Sequence, residues 1–131
     1  MKDILSDEFQ QAVDEYLIRH RSIIDILTKL QESSARINRA VAKSVTNCGC
    51  IQIEATRQRI PVEVSLKEVR DYMDDHLRGK LCDNCREVIE EEIGNHLFYL
   101  AALANSLDLN LYDILIQQHK KISALGIFSV Y

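Results

Sequence analysis

Four cysteines stand in two close pairs, Cys48 and Cys50 in CGC and Cys82 and Cys85 in CDNC. Each pair offers two sulfurs from one short turn, and a tetrahedral Zn²⁺ takes four thiolates at ~2.3 Å. Four soft ligands with no open position make such a site structural, and an iron–sulfur cluster is the alternative occupant of the same donor set. Two readings without metal stand beside it: buried unligated cysteines and a reversible dithiol switch. The CDNC pair lies just before a helix start, where free N–H groups and the helix dipole favour thiolate over thiol. A metal there ties the connector around Cys48 to that helix, so chelation is expected to loosen the fold.

A second group of residues carries oxygen chemistry. Glu87, Glu90, Glu91 and Glu92 precede Asn95 on one predicted helix, with Glu92 and Asn95 one turn apart on the same face. Glu68 and Asp71 repeat that spacing on the helix before it. Two such pairs facing each other would chelate Mg²⁺, with a phosphate substrate completing the shell. Glu87, Glu90 and Glu91 read as a solvated first turn, where acids favour the positive end of the dipole. Glu92 and Asn95 run into the apolar part of the helix, where a buried amide needs partners. His96 falls on the apolar stripe with Ile93, Leu100 and Leu103 and reads as a hydrogen-bonded core histidine rather than a catalytic one. Tyr99, one turn on from Asn95, either lines the same cavity or packs. His119 and Lys120 complement the last helix's dipole, with phosphate contact by Lys120 as the alternative.

The stretch Glu91 to Lys121, EEIGNHLFYLAALANSLDLNLYDILIQQHKK, resembles the final two helices of the MazG-like nucleotide pyrophosphohydrolases, all-α enzymes that cleave nucleoside triphosphates to monophosphate and pyrophosphate. That family's metal pattern is an ExxE pair on one helix and an ExxD pair on the next. By this resemblance Glu68 and Asp71 take the ExxE places and Glu92 and Asn95 the ExxD places, holding Mg²⁺ for a nucleoside triphosphate. Asn95 departs from the expected acid and removes a formal charge, and Asp71 is one methylene short of Glu. The CGC and CDNC pairs lie outside the family pattern. The resemblance therefore implies a fold more strongly than an activity, because fold rests on the apolar pattern and catalysis on particular oxygens.

These residues must be positioned by helices. Of 131 residues 47% are hydrophobic, with 4 Gly, 1 Pro and no Trp, the composition of a helical bundle large enough for its own core. The expectation is one all-α domain over residues 1–131, a MazG-like bundle of four to five helices with a long N-terminal one. From Asp7 to about Thr46 no Pro or Gly intervenes, and Val13, Tyr16, His20, Ile23, Leu27, Leu30, Ser34, Ile37 and Val41 alternate steps of three and four. Such a helix would be ~60 Å long, against an expected radius of gyration of ~14 Å for the chain. Either it breaks near Ser33 and Ser34, or its stripe packs on a second subunit; a homodimer is expected, with His20 and Ser34 setting register. Residues 47–64 read as a connector, frayed or briefly extended. Ser65 with Glu68 forms a capping box for a helix from Leu66 to Arg78, stopped by Gly79. Asp83 or Asn84 caps a third helix reaching Leu107, apolar nearly all round at HLFYLAALA and so central. Asn110 caps the last, Leu111 to about Leu125, which Gly126 ends.

Charge and hydropathy narrow the partners. A formal net charge of -4 argues against a broad nucleic-acid surface, and Arg36, Arg39, Lys43, Arg57 and Arg59 lack interleaved aromatics. The start MKDILSDEF has no apolar signal core, and no stretch nears the ~18 apolar residues a membrane span needs. A cytoplasmic chain is expected, where paired cysteines are metal ligands or redox groups rather than disulfides. Two functions follow: a Mg-dependent nucleotide pyrophosphohydrolase, or a non-catalytic, zinc-stabilised, dimeric interaction or regulatory protein.

Overall fold

In the computed structural model, which describes residues 2–126, the chain forms five α-helices and a two-stranded ribbon. The fold is all-α, as its composition implies. The single long N-terminal helix is not formed. Helix α1 (Lys2–Tyr16) stops, residues 17–22 turn the chain, and α2 (Ile23–Lys43) starts afresh. Both sides of that break are capped. Arg21 donates to the carbonyls of Asp14 and Leu17 at the end of α1 and to the Asp14 carboxylate at 2.8 Å, while the Ser22 hydroxyl accepts from Ile24 N at 3.3 Å.

The break resets the helical phase: Val13, Leu30 and Ile37 keep the inward places of the repeat, while Ile26, Ser33 and Ala40 take those of Leu27, Ser34 and Val41. Ile26, Ser33 and Ser44 are buried and Leu30, Ile37 and Ala40 half-buried, whereas Leu27 is exposed, Tyr16 is 74% exposed and His20 lies in the turn. Ser33 and Ser34, the expected break point, sit inside α2.

Helix α4 (Asp83–Ser106) runs antiparallel to α2 and also packs against α1, while α5 (Leu111–Leu125) packs on α1. Val13, Leu17, Ile26, Ala101 and Ala102 form the main buried cluster, backed by Leu30, Phe98, Leu103 and Leu111. Alanines at the α4 positions let three helices approach closely. The buried Gln10 joins α1 to the turn between α4 and α5: its Nε2 donates to Leu109 O at 2.6 Å, and its Oε1 accepts from Leu111 N at 2.9 Å. Asn110 caps α5 as its sequence predicts, its Oδ1 accepting from Asp113 N at 3.0 Å.

The predicted Leu66 to Arg78 helix is half that length. Helix α3 (Leu66–Tyr72) opens on the Ser65 cap, but Met73 leaves the helical region at ψ 127°. Two tertiary interactions override local propensity there. Gln58 clamps the backbone of Asp74, accepting from its N–H at 2.9 Å and donating to its carbonyl at 2.7 Å. Leu77–Gly79 then becomes strand β2, antiparallel to β1 (Ile51–Ile53), with Ile51 opposite Gly79. Among the described residues, no helix is long and apolar enough to cross a membrane.

Candidate metal centre

The cysteines are placed by one end of the ribbon, where Ile51 lies opposite Gly79. Helix α2 widens into a π-helical turn over Ser44–Cys48, closed by Gly49 at φ 78°, whose N–H reaches Ser44 O at 2.9 Å. The extra residue of a π turn changes the exit direction of the chain, a device common at binding sites. Cys48 and Cys50 therefore flank a left-handed glycine, and β1 follows at once. On the return, Gly79 ends β2 at φ 85°, and a Cβ built on it would lie 2.5 Å from Cys50 O. Only glycine allows the strands to approach this closely at that backbone angle. Three residues later Cys82 caps α4, its sulfur accepting from Cys85 N at 3.4 Å. The cap is thus Cys82 itself rather than Asp83 or Asn84.

The result is one cluster. The sulfurs of Cys48, Cys50, Cys82 and Cys85 all lie within 4.8 Å of one another, and Cys48 and Cys82 are 3.7 Å apart. A tetrahedron with ~2.3 Å metal–sulfur bonds has edges of ~3.8 Å, so the donors fit a single ion. A disulfide needs ~2.05 Å, and all four cysteines are free. These four thiols can hold one metal ion.

Their electrostatics agree with that use. The Cys85 N–H, joined by the thiols of Cys85, Cys48 and Cys50, brings Cys82 down to about 7. At Cys85 a hydrogen bond with Ser44 works downward, but the Cys82 sulfur, burial and the other two sulfurs outweigh it and push the thiol up to about 12. Cys48 is raised as well: the Cys50 N–H works downward, and the sulfurs of Cys82 and Cys50 together with burial outweigh it. Crowded sulfurs cannot all carry charge unaided. A divalent cation removes that conflict, because each thiolate then faces the ion.

The oxygen residues are distributed differently. Among the described residues, the cysteines are the one group of three or more His, Cys, Asp or Glu side chains whose ligand atoms converge in this way. Glu68 and Asp71 are exposed on α3, and Asn95 is exposed on α4 rather than buried. Glu92 is half-buried on α4, and its Oε2 is buried with no hydrogen-bond partner. Asn95 and Tyr99 do line one cavity, of about 360 Å³, together with Lys29, Arg36 and Ser33 of α2. His96 Nδ1 is 2.8 Å from the Ser33 hydroxyl, which itself donates to Leu30 O, so the imidazole joins α4 to α2. His119 and Lys120 are exposed near the end of α5.

Residues that build the metal centre without ligating escaped the sequence reading. Ser44 is 1% exposed and anchors the π turn through Ala40 O at 3.0 Å. Asp74 receives the Arg78 guanidinium at 2.6 Å and the His76 N–H at 3.0 Å, which hold its carboxyl well below the usual carboxylate range. The available signal was Gly79 three residues before Cys82, read as a helix stop although it is equally a strand end.

Comparison with family models, with curated proteins and with solved structures finds no match to this chain.

Proposed function

We propose that this chain is a zinc-stabilised helical interaction protein, in which Cys48, Cys50, Cys82 and Cys85 hold one structural Zn²⁺. The observation that carries the reading is the convergence of four thiols with an edge of 3.7 Å, the spacing a single tetrahedral ion needs. A cage this tight favours one ion over a polynuclear iron–sulfur cluster, which must enclose several metal atoms. The ion fixes the end of α2, the ribbon and the first turn of α4 as one body, leaving the helical faces to bind partners. A reducing compartment such as the cytoplasm keeps these thiols available.

Elemental analysis of the purified chain, paired with thiol titration, tests this. One zinc per chain is expected, with four thiols that react with a disulfide reagent only after chelation. Metal-free protein with freely reacting thiols, or an iron–sulfur absorption spectrum, would overturn it.

One observation favours a second reading, the Mg-dependent pyrophosphohydrolysis of a nucleoside triphosphate implied by the MazG-like resemblance. The orphaned Oε2 of Glu92 is the kind of oxygen a hard cation would satisfy. That reading also needs Glu68 and Asp71 brought to Glu92 and Asn95. Pyrophosphate release from nucleoside triphosphates with Mg²⁺, abolished in Glu92→Gln, would support it; no release, or release indifferent to Glu92, would end it.

A further inference from the structure

Between α2 and α4 lies a cavity of about 360 Å³ that the metal centre does not use. Its size falls at the lower end of small-molecule sites, ~300–1,000 Å³. Ser33, one of its lining residues, fixes the spacing of its walls. The Ser33 hydroxyl commits its one proton to Leu30 O at 3.0 Å, so the His96 imidazole donates from Nδ1 across 2.8 Å. That bond ties the two helices together beside the cavity, which is therefore formed in advance of any ligand.

Hydrogen-bond donors outnumber acceptors there. Lys29 and Arg36 are two turns apart on one face of α2, and Glu32 between them receives both. Arg36 Nε reaches its Oε1 at 3.1 Å and Lys29 Nζ its Oε2 at 3.4 Å. The Arg36 guanidinium and the Lys29 ammonium hold the Glu32 carboxyl below its ordinary value. Both amino groups of the Arg36 fork stay unused, as do the remaining donors of Lys29. On the α4 side, the Asn95 amide and the Tyr99 hydroxyl line the cavity and have no hydrogen-bond partner among the described residues. The apolar wall is made by the rings of Phe98 and Tyr99, packed edge to face with centroids 5.2 Å apart.

We infer that this cavity binds a small planar molecule bearing an oxyanion, phosphate or carboxylate, with the oxyanion between Lys29 and Arg36 and the ring against Phe98 and Tyr99. Glu32 marks the place of the oxyanion, because it is a carboxylate held by the same two cations, and it competes with the ligand for them. Asn95 and Tyr99 supply neutral groups that orient the bound molecule. A Mg²⁺ ion, which gathers acidic oxygens around itself, does not suit a cavity with two cations against one carboxylate. Ser33 lies three turns along α2 from Ser44, ~16 Å at 1.5 Å per residue, so the inference stands apart from the metal centre.

Calorimetric titration of the metal-loaded full chain in Mg²⁺-free buffer tests it, with phenyl phosphate, benzoate and inorganic phosphate as probes. Phenyl phosphate or benzoate is expected to bind once per chain with Kd below about 1 mM, and the tighter of the two names the oxyanion. Inorganic phosphate, which has no ring, is expected to bind at least ~10-fold more weakly than the tighter probe. Arg36→Gln and Lys29→Gln should each weaken binding ~10-fold or more by removing a charge-assisted hydrogen bond, whereas Glu32→Gln should tighten it by a similar factor. A gain of affinity cannot come from a misfolded chain, so Glu32→Gln keeps the test decisive should the other variants lose helicity. No saturable binding up to about 10 mM, affinity unmoved by Arg36→Gln in a folded variant, or a Glu32→Gln variant that binds no more tightly would overturn the proposal. So would inorganic phosphate binding as tightly as the ring-bearing probes, or binding that appears only with Mg²⁺.

Discussion

Gly79→Ala perturbs the metal centre without touching a ligand, and its cost can be worked from two distances. The native φ of 85° places an L-residue in the left-handed region, at ~1–2 kcal/mol. The added Cβ would also sit 2.5 Å from Cys50 O and 3.3 Å from Ile51 Cα, against backbone that must retreat by nearly an ångström to reach ordinary contact. Overpacking of this kind adds ~1–3 kcal/mol. A ribbon of three residue pairs is too short to hold itself together, so it forms with the metal and the strain falls on the bound state. The expected total is ~3 kcal/mol, or roughly 100-fold weaker metal binding. Gly49→Ala supplies the control. Its φ is 78°, but nothing lies within 4 Å of its built Cβ, so only the conformational cost remains, about tenfold in affinity. Competition of each variant against a chromogenic zinc chelator gives both numbers. If Gly79→Ala binds within about threefold of wild type, or if the two variants are equal, the close approach of β2 to Cys50 does not position the sulfurs and the reasoning fails.

Removing the metal is expected to speed amide exchange over residues 44–53 and 77–88 while α1 and the second half of α4 stay protected, because Val13, Leu17, Ile26, Ala101 and Ala102 pack without it; mass-resolved exchange with and without chelator reads this. Gln10→Ala strands Leu109 O and Leu111 N in a buried turn and is expected to cost ~2–4 kcal/mol in denaturant unfolding at fixed metal load. Asp74 is held below its ordinary value by Arg78 and the His76 N–H, so its contribution is present above about pH 4 and lost as pH falls through the depressed folded value. The stability difference between wild type and Asp74→Asn should therefore shrink with acid, and the Asp74 carboxyl should titrate well below ~3.9 by NMR.

What could be seen in the sequence depended on the range of the interaction. The all-α architecture, the Ser65 and Asn110 caps, the extent of α5 and the pairing of CGC with CDNC all follow from spacings of a few residues or from residue type. The break at 17–22 was also local: Ser22 with Asp25 three residues later is a helix-start pattern. It was masked by the three-four repeat that happens to run across it. The ribbon was not local. Leu77–Gly79 has helical spacing with Leu66, Val69 and Met73, and becomes a strand only because Gln58 seizes Asp74 from 16 residues away. The exposure of Asn95 likewise depends on which side of α4 receives α2, which the pattern within α4, Glu-rich before Asn95 and apolar nearly all round after it, does not decide.

On the zinc reading the two ends of α4 are held by different physics, and magnitudes say why both would be needed. Toward its C-terminus the helix buries Ala101 and Ala102 against Val13 and Leu17 of the α1 side and Ile26 of α2. Toward its N-terminus the sequence is Glu-rich, and Ile89 is the one fully buried apolar residue among positions 83–96. Burying one isoleucine is worth ~1.5–3 kcal/mol, too little to fix two helix ends and a three-pair ribbon against the entropy of ordering them, at ~1–2 kcal/mol per residue. A structural zinc bound by four thiolates in small peptides contributes ~10–16 kcal/mol at neutral pH. One such ion in the proposed site would take the place of several large side chains at the end that lacks them. Ile93, Leu97 and Leu100, at 43%, 50% and 37% exposed, show the same shortage of apolar cover on the helix's third side.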